Sequence, residues 1–190
     1  MRKIDHLPNA ITISRIALAP LLILLLRARS YPEALGIFIV AGLSDALDGY
    51  VAKRYGLVSQ FGSLLDPLAD KILLISSYVM LAVLNLLPFW LMLAVVFRDL
   101  LIVGGYLAYT SVVGSVHMRP SLLSKFNTVA QIILVVAVLA HAASGVPSDG
   151  LVHLLVQVVF VSTALSGVHY LWTWGVMKDV QPLRSEPGHE

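Results

Sequence analysis

Asp45-Ala46-Leu47-Asp48-Gly49-Tyr50-Val51-Ala52-Lys53 is followed, after eight further residues, by Gly62, Asp66 and Asp70. Both halves of this pattern are embedded in long apolar runs, where carboxylates are expensive and rarely sit without a task. At about 100° per residue, Asp45 and Asp48 fall about 60° apart on one helix face, and Ala52 continues that face. Asp66 and Asp70 fall about 40° apart, with Gly62 a turn before them. The connection at 56–60 is short, so the two helices are expected to be antiparallel neighbours. Their acidic faces then meet near one membrane surface.

The rest of the chain agrees with a membrane setting. Of 190 residues, 58% are hydrophobic and 13% charged, against about 25% charged in an ordinary soluble domain. Mean hydropathy is +0.85. Six segments, at about 8–26, 34–55, 61–84, 88–111, 121–142 and 151–175, approach or exceed the roughly 20 apolar residues that cross a bilayer. The expected fold is all-α: a polytopic six-helix transmembrane bundle. Residues 1–190 form a single domain without repeat or linker, with a polar tail from about 178. A net charge of +2 gives no electrostatic case for nucleic acid. The absence of cysteine excludes disulfides, thiolate metal sites and thiol nucleophiles.

Six spans put both termini on one side, together with Arg2, Lys3, Lys53, Arg54, Arg119, Lys125, Lys178 and Arg184. The other side holds Arg27 and Arg29, so the first side is expected to be cytoplasmic. The opening residues show neither a cleavable signal nor an Arg-rich transit segment. The expected location is therefore a bacterial plasma (inner) membrane rather than a mitochondrial one.

Four carboxylates in a small volume cannot all stay ionised without cations. Oxygen-only ligation suits hard divalent ions, magnesium or manganese, and two such ions can hold a pyrophosphate. Gly49, Ala52, Gly62 and Ser63 leave room for a ligand to approach closely; small residues in membrane helices equally serve helix packing.

The pattern D-x-x-D-G-x-x-A-[K/R], eight residues, G-x-x-x-D-x-x-x-D resembles the signature of the CDP-alcohol phosphotransferase family, and the likeness extends over nearly the whole chain. Every spacing is met. The family arginine is here Lys53, followed by Arg54. Lysine keeps the charge and loses the bidentate fork, so either residue can hold the diphosphate. The resemblance implies that Asp45, Asp48, Asp66 and Asp70 bind a metal pair. Asp70 would also take the proton from the attacking hydroxyl. Gly49, Ala52, Lys53, Gly62 and Ser63 would form the CDP pocket. Leu7-Pro8-Asn9-Ala10-Ile11-Thr12-Ile13-Ser14-Arg15 is similar to the family's first helix and would put Asn9 and Thr12 near the nucleotide. Asn9 can also simply cap a helix, and Arg15 can snorkel to headgroups. The implied partners are CDP-diacylglycerol, an alcohol acceptor, the membrane and a second copy in a homodimer.

Two acceptors fit, glycerol 3-phosphate and phosphatidylglycerol. Arg98-Asp99 and Lys125 are the candidate acceptor-binding positions. Family members that use glycerol 3-phosphate carry Arg-Glu at the first place, a second arginine two turns on (near Tyr106 here), and a G-K-x-K-T-like motif where this chain has Ser124-Lys125-Phe126-Asn127-Thr128. A doubly charged phosphate wants several cations, and two are missing. Ser14–Pro20, Ala41–Asp48, Leu65–Leu73, Arg98-Asp99 and Pro120–Thr128 resemble the members that use phosphatidylglycerol, which is the preferred acceptor. The bland alternatives are that Arg98 pairs with a carboxylate for stability, that Lys125 anchors at the interface, and that Ser124, Thr128 and Gln131 join helices. His141, His153 and His169 show no metal-ligand spacing and read as interfacial or packing residues. Three readings compete with an enzyme: a transporter, whose site belongs near the midplane of a repeat; an aspartyl protease, which needs only two aspartates; and a non-catalytic scaffold.

Overall fold

The computed structural model describes the backbone of residues 18–55, 60–113 and 121–176 and the side chains of 18–44, 71–105 and 121–172. All regular structure among them is helical. The helices are α1 (Leu18–Arg27), then α2 (Tyr31–Tyr55), α3 (Gln60–Val83), α4 (Phe89–Val113), α5 (Leu122–Ser144) and α6 (Asp149–Val176).

The turns between helices have local causes. Arg29 closes α1 in the left-handed region at φ 58°, and Asn85 does the same after α3 at φ 58°. Asparagine tolerates that region better than most residues. The α2 helix starts at Tyr31, three residues before the expected 34. Pro32, read as part of the break, sits in the first turn, where a missing amide hydrogen loses no bond. Ser121 caps α5, its side chain accepting from the Ser124 amide at 3.1 Å. Gly145 ends α5 at φ 73°, which glycine adopts without a Cβ penalty. His141 pins the α5–α6 connection: Nδ1 donates to the Pro147 carbonyl at 2.7 Å, and Nε2 faces the Asp149 carboxylate at 3.0 Å.

Packing joins α5 to α6 and α2, α4 to α6 and α3, and α3 to α5. The fully buried residues include Leu22 and Leu26 of α1, Tyr78 and Leu81 of α3, Leu91 and Val95 of α4, and Leu134 and Leu139 of α5. The expected meeting of the acidic faces of α2 and α3 falls on side chains outside the described residues.

The surface is inverted relative to a soluble protein. On α6, Leu151, Leu154, Val158, Val161, Leu165 and Val168 are exposed, while Ser162, Thr163 and Ser166 are buried. Exposed apolar residues recurring at helical spacing mark a face meant for an apolar environment. Two helical stretches, Leu122–Ser144 and Asp149–Trp172, are long and apolar enough to cross a membrane.

Candidate functional site

Asp45, Asp48, Gly49, Ala52 and Lys53 lie in the second half of α2, and Gly62, Ser63, Asp66 and Asp70 in the first half of α3. The helical backbone therefore keeps the i, i+3 and i, i+4 spacings on single faces, as expected. Their side chains lie outside the described residues, as do Asn9 and Thr12 entirely. As a donor set, four carboxylates offer oxygen ligands only, which fits a hard divalent cation.

The residue after Asp70 opens the part whose side chains are described, and it leads directly to a charged cluster. Lys71 Nζ stands 2.8 Å from Asp99 Oδ1. The same oxygen accepts from Arg98 Nη1 at 2.8 Å. Arg98 then spans two more helices. Nη2 donates to Ser124 Oγ of α5 at 2.7 Å and to Ser166 Oγ of α6 at 2.6 Å, and Nε donates to Ser166 Oγ at 3.2 Å. Gly167 supports the arrangement by size: a Cβ there would touch Arg98 Cγ at 3.9 Å. Side chains from α3, α4, α5 and α6 thus converge on one guanidinium–carboxylate pair. Exposure falls to 3% for Arg98 and 1% for Asp99, against 21% for Lys71. Sharing and hydrogen bonding of this kind are what make buried ionic groups tolerable.

Of the two expected acceptor residues, Arg98 is the centre of this cluster and Lys125 is exposed beside it on α5. Sequence reasoning missed Lys71 and Ser166. Lys71 was legible as the residue beside Asp70; Ser166 carried no signal, because one serine in an apolar helix reads as glue.

A second polar layer lies along α5. Asn127, fully buried, accepts through Oδ1 from Ser162 Oγ at 2.7 Å and Thr163 Oγ1 at 2.9 Å. Near the next turn, Tyr78 donates to the Gln131 carbonyl at 3.3 Å. Replacing Asn127 with leucine removes the acceptor for two buried hydroxyls. The expected result is a loss of about 1 kcal/mol in unfolding free energy, a typical size for an interhelical hydrogen bond in a membrane. A detergent-denaturation curve on wild type and variant checks this; an unchanged midpoint would show that the layer does not hold α5 to α6.

These features define an all-helical membrane protein with a polar, charged interior. The chain belongs to the CDP-alcohol phosphatidyltransferase family, whose model matches residues 5–174. It is 37% identical over 150 residues to the cardiolipin synthase (CMP-forming) of Homo sapiens, covering 70% of this chain and 50% of that protein. It is 35% identical over 150 residues to the rat enzyme of the same name, with the same coverage. It is also 36% identical over 151 residues to the CDP-diacylglycerol–glycerol-3-phosphate 3-phosphatidyltransferase of Bacillus subtilis, covering 72% of this chain and 77% of that one. The chain spans about half the length of the two mammalian relatives.

Proposed function

We propose that this chain is a metal-dependent phosphatidyltransferase that moves a phosphatidyl group from CDP-diacylglycerol to phosphatidylglycerol, forming cardiolipin and releasing CMP. The family match and the unbroken aspartate signature on α2 and α3 support the reaction class. The observation that carries the acceptor is the use of Arg98: its guanidinium is buried and committed to Asp99, Ser124 and Ser166. Few cations then remain for the acceptor, which suits a singly charged phosphodiester better than a doubly charged phosphate monoester.

In this reading Asp45, Asp48, Asp66 and Asp70 hold two magnesium or manganese ions. Bound there, the ions neutralise charge on the diphosphate and on the departing CMP. Asn9, Thr12, Gly49, Ala52, Lys53, Gly62 and Ser63 seat the CDP moiety. Asp70 accepts the proton of the attacking headgroup hydroxyl. The hydroxyl oxygen bonds to the phosphorus that carries diacylglycerol, and the bond from that phosphorus to the oxygen bridging to CMP breaks. Arg98 and Lys125 lie at the acceptor end, Arg98 acting through the network it holds. Both substrates stay in the bilayer, which favours their encounter and orientation.

The finer topology belongs to the same proposal. Helices α2 to α6 have 25, 24, 25, 23 and 28 residues. At 1.5 Å per residue each is long enough to cross a hydrocarbon core of about 30 Å. With α1 they make six spans, and the side bearing Lys53, Arg54, Arg119 and Lys125 is cytoplasmic or matrix-facing. Exposed apolar faces leave room for a homodimer.

A glycerol-3-phosphate acceptor is the second reading, favoured by the Bacillus subtilis relative, which the match covers more completely than either mammalian one. Purified protein in detergent, given labelled CDP-diacylglycerol and magnesium, decides between them. Cardiolipin and CMP formed with phosphatidylglycerol and not with glycerol 3-phosphate are expected. Phosphatidylglycerophosphate formed instead would overturn the acceptor and keep the family reaction. CMP from neither would overturn the enzyme reading for these two acceptors.

A further inference from the structure

Lys71 occupies a position that the family signature does not include. It follows Asp70 on α3, and its ammonium is fixed at 2.8 Å from Asp99 on α4. Three features of the cluster give its members different tasks. Arg98 is 3% exposed and spends four donor contacts on Asp99, Ser124 and Ser166, so an incoming lipid headgroup cannot reach it without breaking the core. Asp99 is 1% exposed and holds both cations on one oxygen, Oδ1. Lys71 is the member with surface access, at 21%. An ammonium has three donors on a flexible stem, and Asp99 takes one of them.

We infer that Lys71 is the cation that receives the phosphate of the acceptor, with Asp99 as the residue that aims it and Arg98 as the strut that holds Asp99. The inference rests on the phosphatidyltransferase reading, not on which of the two acceptors is used, because both carry a phosphate. The physical logic is pre-organisation. A free lysine side chain loses about 2 kcal/mol of rotamer freedom when it is fixed. Asp99 removes much of that loss before the acceptor arrives. Arg98 in turn prevents Asp99 from being a lone buried charge, and its bonds to α5 and α6 set the height of the carboxylate in the bundle. The acceptor phosphate would then sit within a lysine's reach of the helix turn that carries Asp66 and Asp70, which is where the hydroxyl to be deprotonated must be.

A purely structural role makes a different forecast. If Lys71 only balances Asp99, removing both charges together should leave acceptor binding intact. The test therefore uses Lys71→Gln, Lys71→Arg and the double variant Lys71→Gln/Asp99→Asn, each as the full chain in detergent. Turnover is measured with CDP-diacylglycerol and phosphatidylglycerol, varying each in turn. A second arm needs no turnover: retention of dioctanoyl-phosphatidylglycerol against dioctanoyl-phosphatidylcholine, read by native mass spectrometry.

Lys71→Gln should raise KM for phosphatidylglycerol about tenfold, the loss of one charge-assisted contact, with KM for CDP-diacylglycerol within about twofold of wild type. Lys71→Arg should recover most of the acceptor affinity. The double variant, which leaves no unbalanced carboxylate, should stay folded and remain as weak for the acceptor as Lys71→Gln. In the binding arm, wild type should retain phosphatidylglycerol selectively and both glutamine variants should lose that selection. A double variant with wild-type KM and wild-type selection would overturn the inference. So would a Lys71→Gln variant whose defect lies wholly in kcat or in the CDP-diacylglycerol KM. Wild-type protein that selects phosphatidylglycerol yet releases no CMP, with selection lost in the glutamine variants, would overturn the functional reading and keep the lysine. Wild type showing neither selection nor turnover would overturn both.

Discussion

Asp70→Asn should reduce CMP release by about a thousandfold, the middle of the range for removal of a general base. Asparagine matches the shape of aspartate, but its amide cannot accept the proton of an attacking hydroxyl, and it removes one anionic oxygen ligand from the donor set. Initial rates with labelled CDP-diacylglycerol measure the loss, and a denaturation curve confirms that the variant is folded. A fall of only about tenfold would make Asp70 a helper in ligand placement and move the proton elsewhere. Full retention of function would leave the scaffold reading standing.

Arg98→Ala should have the largest effect on stability. Removing one partner of a buried ion pair costs about 3 kcal/mol or more, because the remaining charge stays buried. Here the loss is compounded by two serine hydroxyls, Ser124 and Ser166, that lose their shared donor. Lys71 still neutralises Asp99 in part, which keeps the expected figure near the low end. Detergent denaturation of wild type, Arg98→Ala and Arg98→Leu/Asp99→Asn measures it. The double variant should regain part of the loss, since it leaves no unbalanced arginine partner in the core. An Arg98→Ala midpoint equal to wild type would show that the four helices are joined by apolar packing alone.

Much of this was legible along the chain. Helix positions follow from apolar runs longer than a bilayer needs, and observed ends differ from expected ones by about three residues or fewer. The largest difference, at the start of α2, came from treating Pro32 as a terminator when it is also a good first-turn residue. The grouping of Asp45 with Asp48, and of Asp66 with Asp70, is set by helical period and survives in the backbone of α2 and α3. The choice of Arg98 as a residue worth watching was also sound, since a charge in a membrane helix needs a partner.

Its partners could not be read the same way. Asp99 was visible as a neighbour, but Ser124 lies 26 positions away and Ser166 lies 68 positions away. Such contacts depend on the order of helices around the bundle and on their relative heights, and neither leaves a periodic trace in a single chain. His141 shows the same limit on a smaller scale: its bonds to Pro147 and Asp149 depend on how the α5–α6 connection folds back.

The sequence by itself determined the helical class, the faces on which the aspartates stand and the family chemistry that their spacing implies. Those are properties of one helix, or of two joined by a short turn, and local geometry fixes them. Only the tertiary structure decided that Arg98 is spent inside the protein, that Asp99 is shared between two cations, and that Lys71 is the member left nearest the surface. That division of labour arises where four helices meet, and burial there decides which charge a ligand can still reach.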